Sequence, residues 1–532
     1  MLGIAPKKEV KITNERMNTQ LTLRKMKISN SQLKRRLMEI YKDKSQILDI
    51  NPEEIPIDIN FKNSFYNSLD KESFLVNYLI SHFPIENNLL NYIILNLRIF
   101  VYSLLEPIQN NSSKRLESCF SENSITKIIN LMYEYRFNSN IVYIFAQIFS
   151  AATCISEAVC LYCSKKDNIK KLDAILSVQN KNIQSIFLNI FCNCLMENDY
   201  MIILKETSIE KFLVSSLIIK DGNEVKDISF DFIEVVVSSF NALIRNNTIN
   251  LIMNDILSCI PSLFKYIKIK YSLTLTGCSF QIIGKYFRNL QKDSFYYDQS
   301  FNFIDLNFFY PFLNYTYENK EENERILIEI YSILSSLCYL NNKIIYEIID
   351  EDDNNLIEKT GELLDNYNNL QYKKDDVLYE MSLFLNNISI DQESRPIIIK
   401  KTNIIQNFTE ILNKENLNKM SVEMILSFFY EMTKDSDKMI YMDLLCNDFH
   451  KKVLLKFLQD SNTTNEELNY ILSITLEFCQ NLSNIQSKGN FLKNSFDELN
   501  ITQLVQNLIT QKKNENISLN AEKIIELLNY KI

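Results

Sequence analysis

The chain has 532 residues, a formal net charge of −9, and 46% apolar residues. That length exceeds what one hydrophobic core usually serves, so several domains or one extended array of repeats are expected. Only 6 Gly and 8 Pro are present. This scarcity argues against folds that need many tight turns, and it predicts an all-α protein with short loops.

Charge is distributed unevenly between the first 44 residues and the remainder. Residues 1–44 carry 12 Lys/Arg and 4 Asp/Glu, whereas residues 45–532 carry 45 Lys/Arg and 62 Asp/Glu. An acidic body repels phosphate, so nucleic acid is not an expected partner. Eleven cysteines without an apolar leader predict reduced thiols in the cytosol or nucleus. No run of 18 apolar residues occurs, so no membrane partner is expected.

Residues 1–44 form a basic segment whose apolar residues have nearly heptad spacing, which predicts an amphipathic helix interrupted at Asn30. The cations concentrate in RKMKISNSQLKRR, from Arg24 to Arg36. As a helix this stretch would present positive charge to an acidic partner. As an extended strand it could lie in an acidic groove of the same chain. A solvated tail without a partner, or a helix lying on anionic lipid or nucleic acid, are the alternatives.

Residues 45–72 contain Pro52 and Pro56 among acidic and Asn residues, which predicts an extended linker. From residue 73 to residue 532, apolar helical segments recur, and comparable positions lie 44 residues apart in the pairs Tyr143–Phe187 and Leu383–Ser427. This period predicts an armadillo or HEAT solenoid of about nine or ten repeats, and we expect the armadillo-repeat form, a right-handed superhelix. A large irregular helical domain is the alternative.

The basic stretch followed by such an array resembles the importin alpha family. Its members place an importin-beta-binding segment ahead of their armadillo repeats. Gln20 and Leu21 precede Arg24 here, and the distance from Arg24 to Arg36 is that of the family. The resemblance implies importin-beta-binding or autoinhibitory roles for Arg24, Lys25, Lys27, Lys34, Arg35 and Arg36.

Repeats of that family carry a Trp, and an Asn four residues later, on their third helix. The Trp rings hold the aliphatic stems of cargo lysines, and the Asn amides bind the cargo backbone. This chain contains no Trp. The resemblance places Tyr143 and Phe187 at Trp positions, and Phe191 at an Asn position. The cargo-groove residues it implies are Tyr143, Gln147, Thr153, Phe187, Asn387 and Glu431.

Residues suited to catalysis or metal binding are scarce. His82 and His450 are the only histidines, and no Gly-rich phosphate loop occurs, so neither an enzyme nor a cofactor is predicted. Cys160-x-x-Cys163 and the pair 192/194 resemble halves of a zinc site. On helices, however, the first pair would pack in the core and the second would point apart, so no metal is predicted.

The resemblance implies a nuclear import adaptor. It would bind proteins carrying Lys/Arg-rich nuclear localisation signals in a concave groove, and importin beta through residues 1–44. It would shuttle between cytoplasm and nucleus, recycled by a nuclear export receptor. The alternative is a divergent armadillo scaffold that binds another protein without a transport role. An enzyme is a third class, and it would require a cleft with converging polar groups.

Overall fold

The structure is a computed structural model, and it describes most of the chain from residue 52 onward. The described residues are 52–104, 112–197, 200–219, 229–244, 249–269, 272–292, 294–313, 320–349, 356–369, 375–414, 417–434, 438–483, 494, 496–511 and 514–530. The basic segment, with the six cations assigned to importin-beta binding, lies outside them. Within them every regular element is a helix and no strand occurs, which confirms the all-α prediction. Two compact units are present, Met1–Thr248 and Ile249–Ile532.

The first unit contains twelve α-helices within the described residues, after a short 3₁₀ turn at Pro52–Glu54. They are α1 (Ile59–Asn67), α2 (Lys71–His82), α3 (Asn87–Ser103), α4 (Ser112–Cys119), α5 (Glu122–Glu134), α6 (Ser139–Ile155), α7 (Glu157–Cys163), α8 (Lys166–Leu176), α9 (Lys181–Glu197), α10 (Tyr200–Glu206), α11 (Ile209–Leu217) and α12 (Phe230–Leu243). From α4 onward they follow in triplets of a short, an intermediate and a long helix. Such helical triplets, recurring every forty or so residues, make an armadillo-type repeat.

The second unit continues the same pattern with less regular short helices. Its α-helices are α13 (Met253–Ile269), α14 (Leu273–Asn289), α15 (Tyr297–Phe301), α16 (Tyr310–Leu313), α17 (Lys320–Leu340), α18 (Asn342–Ile349), α19 (Leu356–Asn369), α20 (Asp375–Ser389), α21 (Ser394–Lys401), α22 (Ile404–Asn413), α23 (Lys419–Thr433), α24 (Lys438–Cys446), α25 (Leu455–Gln459), α26 (Asn465–Ser483), α27 (Ile501–Gln511) and α28 (Glu515–Tyr530). Short 3₁₀ turns lie at Ile249–Leu251 and Leu306–Phe308, and a π-helix lies at His450–Leu454.

Helix starts in the first unit are set by short polar side chains that cap exposed backbone N–H groups. Asp70, Ser121, Asn138 and Ser156 each accept a hydrogen bond from the backbone N–H three residues later. Such caps satisfy donors that have no partner inside the helix. The polar residues between apolar segments therefore fix where each helix begins.

Within each unit, the long helices of successive repeats pack against one another, and we call these the ladder helices. In the first unit they are α3, α6, α9 and α12, and in the second they are α14, α17, α20, α23, α26 and α28. A ladder helix that lies between two others in its unit is consequently covered on both flanks. The stacking within each unit confirms the prediction of a solenoid of helical repeats.

Buried hydrogen bonds between repeats fix the register of the stack. Asn193 Nδ2 on α9 donates to Thr153 Oγ1 on α6 at 2.9 Å, and Asn387 Nδ2 on α20 donates to Ser335 Oγ on α17, also at 2.9 Å. Each bond joins the ladder helices of two neighbouring repeats. Because a slipped helix would leave these polar groups buried without partners, the bonds select one alignment of neighbouring repeats.

Part of the predicted linker over residues 45–72 is helical, so that prediction is wrong for α1. Phe61 and Phe65 lie four residues apart on one face of α1, and both are buried. Their ring centroids lie 6.2 and 5.9 Å from that of Tyr92 on α3. The first ladder helix has no preceding repeat in the described residues, and these two rings cover its apolar side.

A buried histidine opens the π-helix. His450 is 1% exposed, and within the described residues neither ring nitrogen has a hydrogen-bonding partner. Burial lowers the pKa of His450, the charge of Lys451 lowers it further, and the Asp448 carboxylate opposes both effects. His450 is therefore held neutral in the folded chain near neutral pH.

We predict that His450 makes the fold acid-sensitive. Because its pKa is lowered on folding, the unfolded chain binds more protons below the usual histidine pKa of about 6.5, and stability falls as pH drops through that value. His450→Leu should weaken this loss and raise stability by about 1 kcal/mol. Urea denaturation at several pH values measures both effects. His82→Leu, at the exposed second histidine, is the control, and identical pH slopes for both variants would contradict the prediction.

Candidate functional site

Each ladder helix leaves one strip of side chains partly exposed, because its flanks and back are covered by other helices. On α23 this strip contains Ser427, Tyr430 and Glu431, and on α26 it contains Tyr470 and Glu477. Spacings of three and four residues place such side chains on one face of a helix. Since ladder helices stack side by side, the strips of neighbouring repeats form a continuous surface.

Three consecutive ladder helices of the second unit, α20, α23 and α26, give this surface an acidic character. We call it the acidic face, and its residues are Tyr379, Glu380, Glu423, Tyr430, Glu431, Tyr470 and Glu477. The three helices together contain eight Asp/Glu residues and one cation, Lys419. Lys419 Nζ lies 3.6 Å from Glu423 Oε1, four residues along the same helix. The remaining excess of carboxylates attracts cations to this surface.

The carboxylates of the acidic face lie at two depths. Glu380 and Glu423 are buried, with 3% and 7% of their surface exposed, whereas Glu431 and Glu477 are partly exposed. Asn481 Nδ2 donates to Glu477 Oε2 at 3.3 Å, which orients that carboxylate. A cationic side chain would meet the shallow carboxylates first, and the deeper ones would add to its attraction through a medium of lower dielectric.

Two aromatic rings also belong to the acidic face. Tyr430 on α23 and Tyr470 on α26 have ring centroids 6.2 Å apart, with their planes tilted by 55°. Both rings are partly exposed. An aromatic surface beside carboxylates suits Lys and Arg, because the ring faces attract the cation and accommodate its aliphatic stem.

In the first unit, the predicted groove residues on α6 are mostly engaged within the protein. Tyr143 is 39% exposed, and its hydroxyl oxygen accepts a hydrogen bond of 2.7 Å from Gln147 Nε2. Gln147 itself is buried. Thr153 is also buried, donating to Phe149 O and accepting from Asn193. The Tyr143 ring is thus the accessible part of this predicted set.

Phe187 and Phe191, which the sequence placed at ligand-binding positions, are buried at 0% and 1% exposure. The placement is wrong because α6 starts at Ser139 and α9 at Lys181, 42 residues apart and not 44. A shift of two residues turns a side chain by about 200° around the helix.

With the 42-residue offset, Asn189 is the residue equivalent to Gln147, and it lies partly exposed on α9. Sequence reasoning missed Asn189, although the cap at the start of α6 and the length shared by the two helices could have indicated the offset. Between α20 and α23 the starts do lie 44 residues apart, as predicted.

Asn387 and Glu431 occupy equivalent positions on α20 and α23, with different roles. Asn387 is buried, and its Nδ2 donates to both the carbonyl and the hydroxyl oxygen of Ser335, each at 2.9 Å. Its amide therefore joins two ladder helices. Glu431, by contrast, stays partly exposed on the acidic face. At these two equivalent positions, the carboxylate is the group that a ligand could reach, whereas the amide is occupied by contacts within the protein.

Within the described residues, no group of three or more His, Cys, Asp or Glu side chains could hold a metal ion. None of the described helices combines the length and the apolarity that crossing a bilayer demands.

Comparison with known proteins gives matches to structures only. A scan against protein-family models finds no match, and neither does a search of curated proteins. The crystal structure of an engineered protein matches 87% of this chain and 100% of its own, with a TM-score of 0.65 and 11% identity. At that identity, the likeness supports the repeat fold alone.

Two designed armadillo repeat proteins match about half of this chain. One, computationally designed for modular peptide recognition, matches 50% of this chain and 99% of its own, with a TM-score of 0.40 and 12% identity. The other, solved in complex with the peptide (KR)4, matches 51% of this chain and 99% of its own, with a TM-score of 0.39 and 14% identity.

We predict opposite effects of truncating two aromatic residues that the sequence pattern treats alike. Phe187→Ala should destabilise the chain by about 3–5 kcal/mol, because it opens a cavity in the core. Tyr143→Ala should cost less than about 1 kcal/mol, because that ring is partly exposed. Urea denaturation followed by circular dichroism measures both. Equal losses in the two variants would show that Phe187 does not have the core position described above.

Proposed function

We propose that this chain is a nuclear import adaptor of the importin alpha type, which binds a Lys/Arg-rich segment of a cargo protein on the acidic face. The observation that carries the proposal is the charge of that face, whose four carboxylates, Glu380, Glu423, Glu431 and Glu477, lie on three consecutive ladder helices that carry one lysine in all. A cationic segment would be attracted along all three repeats. Because some of the carboxylates are buried, their attraction for a cation would act through a medium of lower dielectric and would be stronger.

The spacing of the ladder helices favours an extended ligand. Packed helices lie about 8–10 Å apart, and an extended chain advances about 3.3 Å per residue. Side chains about three residues apart along such a segment would therefore meet successive ladder helices. Lys or Arg at these positions would lie near Glu431 and Glu477, against the rings of Tyr430 and Tyr470.

The second half of the proposal concerns residues 1–44. Their charge balance of +8, against −17 for residues 45–532, suits a segment that binds importin beta or lies on the acidic face of its own chain. Exchange between the two positions would couple carrier binding to cargo binding. The protein would then shuttle between cytoplasm and nucleus, recycled by a nuclear export receptor.

We predict that a Lys/Arg-rich peptide binds the acidic face. The double variant Glu431→Gln/Glu477→Gln should raise the Kd by about tenfold, because each exposed ion pair contributes up to about 1 kcal/mol. Fluorescence anisotropy of a labelled peptide containing a KKRK cluster measures the change. The affinity should also fall as salt is raised.

The control is Glu393→Gln/Glu410→Gln, which removes the same charge from the residue that precedes α21 and from α22. An equal loss of affinity in the control would mean that the peptide responds only to net charge. No binding at all, by the parent chain or by a chain lacking residues 1–44, would exclude localisation-signal recognition and favour a scaffold with another partner.

We predict that deleting residues 1–44 abolishes capture of importin beta, because the proposal assigns that contact to six cations in this segment. The same deletion should raise peptide affinity by up to about a hundredfold, because a tethered competitor at an effective concentration of order mM is removed. Pull-down with purified importin beta and anisotropy with the peptide measure the two effects. Capture by the truncated chain would refute the assignment, and unchanged peptide affinity would refute autoinhibition.

A further inference from the structure

The charge of the ladder helices changes sign along the second unit. Helices α14 and α17 precede the acidic face in the row, and α17 packs directly against α20. Helix α14 contains the cations Lys285 and Arg288 and no Asp or Glu. Lys292 follows shortly after its end and is exposed. The acidic face on α20, α23 and α26 is therefore continued by a surface with cations on the same row of helices.

Arg288 is fixed between two ladder helices. Its Nη1 donates to the hydroxyl oxygen of Ser332 and lies 3.7 Å from Glu329 Oε2, and both partners belong to α17. The Arg288 side chain keeps 15% of its surface exposed. A guanidinium carries five N–H donors. Within the described residues both contacts use Nη1, so the hydrogens on Nε and Nη2 remain for a ligand.

A second cation lies further along the same groove. Lys292 Nζ lies 5.3 Å from the centroid of the Tyr339 ring, which is 65% exposed. Tyr339 follows Ser332 by seven residues, so both lie on one face of α17, about 10 Å apart along its axis. We call this stretch the basic subsite, and its residues are Arg288, Lys292, Ser332, Ser336 and Tyr339.

The exposed side of the basic subsite is positive. Glu329 balances the charge of Arg288, but that carboxylate is buried, with 5% of its surface exposed. Arg288 is partly exposed and Lys292 is exposed, so the cations are the groups that a ligand meets. A cationic side chain would be repelled here, whereas an anion would be attracted.

We propose that the basic subsite binds an anionic side chain, a phosphoserine or a glutamate, of the same segment whose cations lie on the acidic face. The assignment rests on the proposed function, and it specifies the ligand further as a segment with a cationic stretch and an anion beyond it. Phosphate and carboxylate oxygens accept charge-assisted hydrogen bonds from guanidinium and ammonium groups. Because the two surfaces adjoin with opposite charge, one extended segment can satisfy both.

The spacing of the helices sets where the anion lies in the ligand. From α23, which carries Glu431, to α17 there are two steps between packed helices, or about 16–20 Å. An extended chain covers that distance in about five or six residues. The anion therefore lies about six residues from the cation that meets Glu431. It lies on one side only, because the opposite direction leads to Glu477 on α26.

The test compares labelled peptides on the full chain by fluorescence anisotropy. One peptide has a KKRK cluster with neutral flanks, and the others carry phosphoserine or glutamate about six residues before or after the cluster. In one order, phosphoserine should tighten binding about tenfold and glutamate about threefold, because phosphate carries more charge. The other order should give no gain. Competition by residues 1–44 would weaken all peptides alike, so the ratios are unaffected.

Two variants assign the gain to the basic subsite. Lys292→Gln should reduce the tenfold gain to about threefold, whereas Lys400→Gln, which removes the same charge from α21, should leave it unchanged. Arg288→Gln/Glu329→Gln should abolish the gain although the net charge of the chain stays the same. Removing this buried pair together leaves neither charge without its partner. Circular dichroism checks that each variant is folded.

Binding of the neutral peptide without a gain from either anion would overturn the assignment of the basic subsite and leave the proposed function standing. So would equal gains in both orders, or a gain that survives Lys292→Gln and the double variant. Absence of binding by every peptide would overturn both proposals. A gain from phosphoserine alone would identify a phosphorylated segment as the ligand, and a gain from glutamate as well would identify an acidic one.

Discussion

The packing of each long helix between the long helices of the adjacent repeats is the interaction on which this structure depends. A ladder helix such as α9 buries Phe187, Leu188 and Phe191 because neighbours cover both of its flanks. Burying one such side chain contributes about 1.5–3 kcal/mol, and one repeat alone could not cover them. Stability therefore comes from the stack, and the strip of side chains left over on each ladder helix is what remains for a ligand.

Polar groups inside the stack serve alignment more than recognition. Asn193 and Asn387 both donate to partners on the ladder helix of a neighbouring repeat. A buried amide that lost such a partner would cost about 1–3 kcal/mol, so these bonds resist any slip of one repeat along another. Since Gln147 and Asn387 are also engaged internally, amide recognition of a peptide backbone has less support here than the family resemblance implies.

Electrostatics and aromatic rings take the place of those amides on α20, α23 and α26. These three ladder helices carry more carboxylates than cations. Because each helix exposes only one strip of side chains, the excess negative charge is concentrated on one surface. Tyr430 and Tyr470 lie on the same surface, so the aromatic contact expected from Trp in the family has a chemical substitute. Charge and ring together define a surface suited to Lys and Arg, without any Trp.

The sequence by itself determined the all-α class, the repeat length and the uneven charge, because these follow from local periodicity and composition. It also aligned α20 with α23 correctly. Only the tertiary structure decided which face of each helix is covered. A two-residue error in the offset between α6 and α9 was enough to exchange an exposed position for a buried one at Phe187. The helix within the predicted linker likewise depends on neighbours that local sequence does not specify.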